Sequence, residues 1–347
     1  MAYTTINKST DYFNTKIYTG DGTSSQAITG VGFQSDLTWI KRRDTTNNHR
    51  VTDAVRGVTK EIYPDDSSAQ DTRTNGLTAF SADGFTLGGS AGYNANNGTY
   101  ASWNWKANGA GSANTDGSIN TASTSVNTTA GFSISTYTGN QTSGASVGHG
   151  LGVAPKMIIV KNFTTSDAHA WRVYHKSLGA TKELYLNLSN APYTATNIWN
   201  DQEPTSSVFY LGNNDSGTNK SGVNYVAYCF AEKKGYSRFG SYLGNGNADG
   251  TFVYTGFKPA FVMIKETSDT GNWCMSDNKR DGYNPTKNIY ADSNGSENTA
   301  NTVDHYSNGF KIRSTGGSVN TSGSNMIYMA FAEAPLVGTN GVTAKAR

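Results

Sequence analysis

The sequence is poor in charge. Of its 347 residues, 16% are charged and the formal net charge is +2, whereas about 25% charged residues is usual for a globular protein. The surface must therefore be covered mainly by uncharged polar groups, which the frequent Asn, Thr, Ser and Gly residues supply. Basic residues occur in short groups such as Lys41-Arg42-Arg43, which we interpret as solvated strand ends. A nucleic-acid partner is not expected, because it calls for a clustered basic face.

Cysteine and long apolar runs are also scarce. The two cysteines, Cys229 and Cys274, are too few for a disulfide scaffold. We predict that both are buried and reduced, with a disulfide between them as the alternative. No apolar run approaches the ~18 residues of a membrane-spanning helix, so no membrane partner is expected. The N-terminus has no secretory signal pattern, which predicts that a protein working outside the cell is released by lysis.

The usual motifs of catalysis lack their structural setting. The Gly-x-Ser-x-Gly spacing occurs around Ser90 and Ser146, but neither serine is predicted to stand on the strand-to-helix turn that presents a nucleophile, and no glycine-rich loop leads into a phosphate-binding helix. Asp65-Asp66 and the pair Asp277 and Asp281 are candidate acids and bases for glycoside hydrolysis, which needs two carboxylates across a cleft. Both pairs stand beside predicted turns, where aspartate is common. We therefore predict that the protein is not an enzyme and has no catalytic residue.

Metal ligands are few. His169 and His175 could form a metal pair, but hydrogen-bonded surface histidines are the simpler interpretation. Oxygen-rich loops at 213–217 and 292–297 could hold calcium or be plain turns, and neither has the spacing of an EF-hand loop. We predict no metal site and no cofactor, and calcium binding by these two loops stays open.

What the sequence does have is one pattern that occurs three times. Each copy has an aromatic residue, a Tyr-x-Gly motif, an apolar run that ends in lysine, a single phenylalanine and an aromatic-rich closing run. The motif glycine and the lysine are 21, 22 and 21 residues apart. Copy by copy, the landmarks are Phe13, Gly20, Lys41, Phe85 and the run 100–105; Phe132, Gly139, Lys161, Phe209 and the run 225–230; and Tyr236, Gly244, Lys265, Phe310 and the run 326–331.

These landmarks divide the chain into units. Residues 1–108 hold unit 1 with an N-terminal arm, 131–234 hold unit 2, and 235–347 hold unit 3 with a C-terminal arm. Residues 109–130, rich in Gly, Ser, Thr and Asn without an apolar period, are predicted to be a linker.

The pattern predicts an all-β fold of three tandem antiparallel β-sandwiches of jelly-roll type, with a looser barrel as the alternative. The apolar runs before the lysines have the length of buried strands, and glycine-rich turns separate short candidate strands. The best helix candidate is 52–58. From the size of the units, about 100 residues each, we expect three separate cores. The landmark phenylalanines should fill those cores, the alternative being a row of exposed rings that stack on sugars.

The segment from Gly148 to Lys161, together with Val173-Tyr174-His175-Lys176, the run 225–232 and the run 240–246, resembles a repeated domain in virion proteins of tailed phages, especially those of marine bacteria. The resemblance covers units 2 and 3 well and unit 1 more loosely, because unit 1 has Ser35 in place of Pro155 and a different ending. It implies a part of a virion, leaves its location open and offers no catalytic residues.

We therefore expect a structural protein on the virion surface, as a tail or fibre component or a capsid decoration, assembled in the host cytoplasm. Its partners would be other virion proteins and copies of itself, a trimer ahead of other states, with a terminal arm (1–11 or 334–347) ordered against another chain. The alternative is an adhesion module for a host receptor or surface glycan, in which Tyr193 and Trp199 are exposed and stack on sugar.

Overall fold

The computed structural model describes residues 3–164, 170–213, 217–282, 284–338 and 341. In the structure described here, strands account for 43% and helices for 3%, which confirms the prediction of an all-β protein built from antiparallel sheets. The helix candidate at 52–58 is wrong, since Arg50–Asp53 is a strand and a turn follows it. Pairing of this strand with a neighbour outweighs the weak local helix propensity.

Unit 1 contains a main sheet and a smaller one. Its strands are β1 Phe13–Thr19, β2 Gln26–Ile28, β3 Leu37–Arg42, β4 Arg50–Asp53, β5 Lys60–Glu61, β6 Asp71–Thr72, β7 Leu77–Ser81, β8 Gly84–Leu87 and β9 Thr99–Trp105, with a 3-10 helix at Ser9–Asp11 and α1 at Ala91–Asn94. The main sheet has the order β1-β9-β3-β4 and the smaller sheet the order β2-β8-β7, while β5 pairs with β6.

Unit 2 extends the same plan. Its sheet includes β10 Ser123–Asn127, which comes from the predicted linker. The strands of the unit itself are β11 Phe132–Thr138, β12 Ala145–Gly148, β13 Met157–Asn162, β14 Arg172–His175, β15 Lys182–Tyr185, β16 Tyr193–Thr194, β17 Val208–Leu211 and β18 Asn224–Phe230. The main sheet has the order β10-β11-β18-β13-β14-β15-β16, and β12 pairs with β17.

Unit 3 forms one continuous sheet. Its strands are β19 Ser237–Leu243, β20 Phe252–Tyr254, β21 Phe257–Glu266, β22 Cys274–Asp277, β23 Thr286–Tyr290, β24 Asn298–Tyr306, β25 Gly309–Ile312 and β26 Asn325–Pro335, with a 3-10 helix at Gly317–Val319. They are ordered β19-β26-β21-β22-β23-β24-β25-β20.

The same four-strand order occurs in every unit. β1-β9-β3-β4 corresponds to β11-β18-β13-β14 and to β19-β26-β21-β22. The registers also correspond, except that Ser237, and not the predicted Tyr236, takes the pairing position of Phe13 and Phe132. The third opening aromatic of the sequence pattern is therefore one residue out of register.

All three units share one hydrophobic core, which we call the central core. It includes Trp39, Trp103, Ile159, Tyr228, Phe261 and Met263. At its centre the last aromatic residues of the three closing runs meet: the ring centroids of Trp105 and Phe230 are 6.3 Å apart, those of Trp105 and Phe331 5.7 Å, and those of Phe230 and Phe331 6.0 Å. The expectation of three separate cores is therefore wrong. Unit size alone did not reveal that one face of each main sheet is buried against the other units.

The opposite face of each main sheet packs against an outer core within its own unit. Phe85, Phe209 and Phe310 lie in the three outer cores and are 0% exposed, which confirms that they are core residues. The adjacent residues Ile158 and Ile159 point to the outer and central cores, respectively. Burial on both faces explains why the runs before the lysines are continuously apolar and do not alternate.

The described N-terminal arm and part of the predicted linker pack against the chain itself. Ile6 is 1% exposed in the central core, and the Tyr3 hydroxyl donates a hydrogen bond to the Gly256 carbonyl at 2.7 Å. Residues 3–11 thus pack within their own chain, whereas a terminal arm was expected to be ordered against another chain. Strand β10 lies inside the predicted linker and pairs with β11. Its polar sequence conceals a strand, because only a few of its side chains face a core.

The shared core predicts how the chain unfolds. Because removal of any unit would expose the inner faces of the other two sheets, the full chain should unfold in one cooperative transition. Differential scanning calorimetry should then give a van't Hoff enthalpy equal to the calorimetric enthalpy. Three resolved transitions would contradict this, since they would mean that the units fold independently.

Two phenylalanines of unit 3 provide a matched pair for a stability test. Phe310→Ala should lower the free energy of unfolding by about 3–5 kcal/mol, because it empties a fully buried site. Phe252→Ala should change it by less than ~0.5 kcal/mol, because that ring is 45% exposed. Denaturant unfolding of the full chain measures both, and equal effects would disprove the assignment of Phe310 to a core.

Candidate functional site

The repeated side chains of the sequence meet at the three boundaries between units, which we call the seams. The residue before β4, β14 and β22 reaches across a seam in each case to a backbone carbonyl oxygen of the neighbouring unit. The contacts are Trp171 Nε1 to the oxygen of Tyr63 at 2.8 Å, Trp273 Nε1 to that of Tyr185 at 2.8 Å, and His49 Nε2 to that of Tyr290 at 3.0 Å. The contacts run from unit 2 to 1, from 3 to 2 and from 1 to 3, so they close a ring.

An acidic or amide side chain fixes each of these three residues. The backbone N–H of His49 donates to Asp65 Oδ1 at 3.0 Å, that of Trp171 to Asn187 at 3.0 Å and that of Trp273 to Asp292 at 2.9 Å. Burial raises the pKa of Asp65 to about 7 and also raises that of Asp292. Because the uncharged Asn187 does the same work in unit 2, we assign Asp65 a positioning role, not a catalytic one.

The repeated lysines form a second ring of contacts across the same seams. Lys41 Nζ donates to the carbonyl of Asn294 at 3.0 Å, Lys161 Nζ to that of Ser67 at 2.7 Å and Lys265 Nζ to that of Ser189 at 3.2 Å. All three lysines are 0% exposed, and desolvation lowers the pKa of each to about 8. The interpretation of Lys41 as a solvated strand end is therefore wrong, because a neighbouring unit covers it.

The last residue of β4, β14 and β22 makes a third set of contacts. Asp53 accepts from the Tyr228 hydroxyl at 2.7 Å, Asp277 accepts from Trp103 Nε1 at 3.1 Å, and His175 Nε2 lies 3.2 Å from the Tyr328 carbonyl. Unit 3 has Met329 where the other units have the donors Trp103 and Tyr228. Methionine has no hydrogen-bond donor, so an aspartate at position 175 of unit 2 would have no donor in unit 3. The chain has His175 there instead, and this side chain reaches a backbone carbonyl.

The two candidate acid pairs are thus occupied by structural contacts. Asp277 forms a buried ion pair with Arg280 at 2.5 Å, and this partner lowers its pKa against the effect of burial. Asp281 accepts a hydrogen bond from the backbone N–H of Lys287 at 2.7 Å, and Asp66 accepts one from that of Ser68 at 2.7 Å.

The two predicted glycan contacts differ in exposure. Tyr193 is 44% exposed, as the prediction requires. Trp199 is 2% exposed and packs in the outer core of unit 2, its ring centroid 6.0 Å from that of Tyr174. It cannot stack on a sugar. The polar residues around Trp199 indicated that its side chain is exposed. The large apolar area of an indole ring, however, stabilises the fold most when the ring is buried.

Of the candidate metal ligands, some lie outside the described residues and others have structural roles. His169 and residues 214–216 lie outside the described residues, and His175 is 1% exposed. In the loop at 292–297, Glu297 pairs with Arg43 at 2.9 Å and with Arg280 at 2.6 Å. Within the described ranges, no group of three or more His, Cys, Asp or Glu side chains is placed to hold a metal ion.

Cys229 and Cys274 are buried and free, as predicted.

Three buried asparagines were missed by the sequence analysis. The side-chain oxygens of Asn94, Asn219 and Asn320, each 0% exposed, accept from the backbone N–H that follows the Tyr-x-Gly glycine, at 2.8, 2.9 and 3.0 Å. The motif tyrosine donates its hydroxyl to the carbonyl just before the asparagine. Each asparagine stands six residues before a closing run, a spacing that could have revealed it.

The motif glycine is required by close approach of the backbone. A Cβ at Gly20, Gly139 or Gly244 would lie 2.3, 2.4 or 2.3 Å from a carbonyl oxygen of the segment that follows the asparagine. Any side chain there would push the Tyr-x-Gly loop away from its asparagine.

Comparison with known proteins identifies a family but no function. Residues 8–335 match a family described as a domain of unknown function, DUF7483, and the chain belongs to that family. One match spans all three units. No curated protein and no solved structure matches the chain. In the described part of the chain, no helix has the length and apolar character needed to cross a membrane.

Three buried tryptophans allow the seam contacts to be tested. Trp171→Phe and Trp273→Phe each leave a buried carbonyl without its donor, which should cost about 1–3 kcal/mol beyond the loss of ring area. Trp199→Phe is the control, because its Nε1 has no hydrogen-bond partner among the described residues. Denaturant unfolding should show the smallest loss of unfolding free energy for the control. An equal loss in all three variants would mean that the hydrogen bonds across the seams do not stabilise the protein.

The buried lysines predict a dependence of stability on pH. The pKa of Lys161 is about 8 in the folded chain against 10.5 when unperturbed, so the unfolded chain binds more protons between these values. The free energy of unfolding contributed by this group therefore rises with pH, by about 1 kcal/mol from pH 7 to 9. Lys161→Met should lack this gain, so its deficit relative to the original protein should be larger at pH 9. A deficit that is constant with pH would contradict the assignment.

Proposed function

We propose that this protein is a non-enzymatic structural component of a tailed-phage virion, exposed on the tail, a fibre or the capsid surface. The observation that carries the proposal is that the repeated residues lie where the units contact one another. The aromatic and lysine landmarks join the units to one another across closed seams, as expected of a rigid building block. The resemblance of units 2 and 3 to virion domains supplies the setting.

We further infer that the units are three copies of one β-sandwich arranged about an approximate three-fold axis. The shared four-strand order and the cyclic direction of the seam contacts support this. In unit 1 the sheets β1-β9-β3-β4 and β2-β8-β7 supply the two layers, whereas in unit 3 the outer strands continue the main sheet. A loosely closed barrel is the alternative for unit 3.

Other virion proteins are the proposed partners. A homotrimer is kept as the proposed oligomer, but residues 3–11 are not what would hold it, because they pack on their own chain. Its contacts would have to lie on the outer faces of the units.

The location on the particle tests the proposal. Antibodies against the recombinant chain, followed by gold labelling and electron microscopy of purified particles, should mark one repeated position. Mass spectrometry of the same particles should detect the chain at a fixed ratio to the major capsid protein. Detection in infected-cell lysate together with absence from purified particles would overturn the proposal.

A further inference from the structure

Unit 3 carries an exposed aromatic surface, formed by Phe252, Tyr254 and Tyr306 and called here the aromatic face. These side chains are 45%, 51% and 37% exposed. They lie on β20 and β24, the strands on either side of β25 at the end of the sheet. Exposed aromatic clusters of this kind usually mark binding sites.

The three rings are held together by the strand register. Tyr254 and Tyr306 both pair with Gly309 on the strand between them. Because Gly309 has no side chain, the Phe252 ring leans over it, with Cζ 3.0 Å from where a Cβ would stand, and its centroid lies 6.1 Å from that of Tyr306. The strand register thus brings the three side chains to one face of the sheet, with the rings of Phe252 and Tyr306 edge to face at an interplanar angle of 73°.

The polar groups beside the rings are ordered and balanced in charge. Arg313 donates to the Tyr306 hydroxyl at 2.9 Å and to Asp304 at 2.5 Å. Asp249, whose side chain is 71% exposed, accepts from both Lys311 and Arg313 at 2.6 Å. Two cations therefore face two carboxylates, which leaves no net charge to attract an anionic polymer.

The corresponding positions of the other units show that the fold does not need these rings. The pair Val253 and Phe310 corresponds to Ile28 and Phe85 and to Val147 and Phe209. By this register, unit 1 has Ala27 and Thr29, and unit 2 has Ser146 and Gly148, where unit 3 has Phe252 and Tyr254. Two aromatic side chains were thus placed on unit 3 at positions that small residues fill elsewhere.

We propose that the aromatic face binds a neutral saccharide. The ring faces stack on the apolar C–H faces of the sugar, and the exposed carboxylate of Asp249, the Arg313 guanidinium and the tyrosine hydroxyls bond to its hydroxyl groups. Because strand pairing fixes the rings before binding, little conformational entropy is lost on association. The site stands on its own residues and does not depend on the virion assignment.

The test uses the full chain on an array of neutral glucose, galactose and mannose oligosaccharides, with uronic-acid and sulfated oligosaccharides on the same slide. The strongest neutral ligand is then titrated by calorimetry into the original protein, the double variant Phe252→Ala/Tyr254→Ala and the control Ile17→Ala. Ile17 is an apolar side chain of similar exposure, 41%, on unit 1. The double variant should weaken binding at least about tenfold, while the control binds as the original does and all three melt at the same temperature.

Several outcomes would overturn the proposal. They are binding to none of the neutral oligosaccharides, a preference for the charged ones, undiminished binding by the double variant, or loss of binding with Ile17→Ala. Light scattering adds a further one: if the original protein self-associates and the double variant does not, the face joins two copies of the chain. Gold labelling of particles is independent of each of these results, so failure of one proposal is distinguishable from failure of the other.

Discussion

Burial of both faces of the main sheets is the constraint on which the rest of the structure depends. A sheet can cover one face with its own outer strands, but the second face needs another partner. Here the three second faces cover one another, and Trp105, Phe230 and Phe331 meet where they converge. No unit has a complete interior without the other two, so the folding unit is the whole chain, in agreement with a family match that spans residues 8–335.

Given such a core, the polar residues at its rim determine how the sheets fit together. A buried lysine or indole N–H is costly without a partner, so arrangements that supply a partner at the seams are favoured. Lys161, for example, reaches a carbonyl that another unit places 2.7 Å away. Where one unit departs from the pattern, its neighbour departs as well: Met329 offers no donor, and His175 replaces the aspartate that would have accepted from it. The seams are therefore specific as well as apolar.

The sequence predicted the local features well and their assembly poorly. Strand class, the buried phenylalanines and the free cysteines follow from short patterns, as Phe310 and Cys229 illustrate. The seams depend on pairs far apart in the chain, such as Lys41 with Asn294, and no local period records such a pair. The prediction that Trp199 is exposed was wrong, because the composition of a loop does not reveal which of its side chains pack against the core beneath it. The aromatic face was missed because Phe252 and Tyr254 alternate as in any strand, and only exposure distinguishes them.

The three seams differ in how the chain supports them. Units 1 and 2 are joined through residues 109–130 and units 2 and 3 directly, but no segment links unit 3 back to unit 1. Across this seam Arg43 pairs with Glu297 at 2.9 Å. The backbone N–H of Asn47 donates to the Asn294 carbonyl at 2.8 Å, as that of Gly271 does to the Ser189 carbonyl across the seam between units 3 and 2. The N-terminal arm also crosses from unit 1 to unit 3 through the hydrogen bond of Tyr3. The ion pair and the N-terminal arm thus help to close the seam that no linker spans, because an open third seam would expose the central core to water.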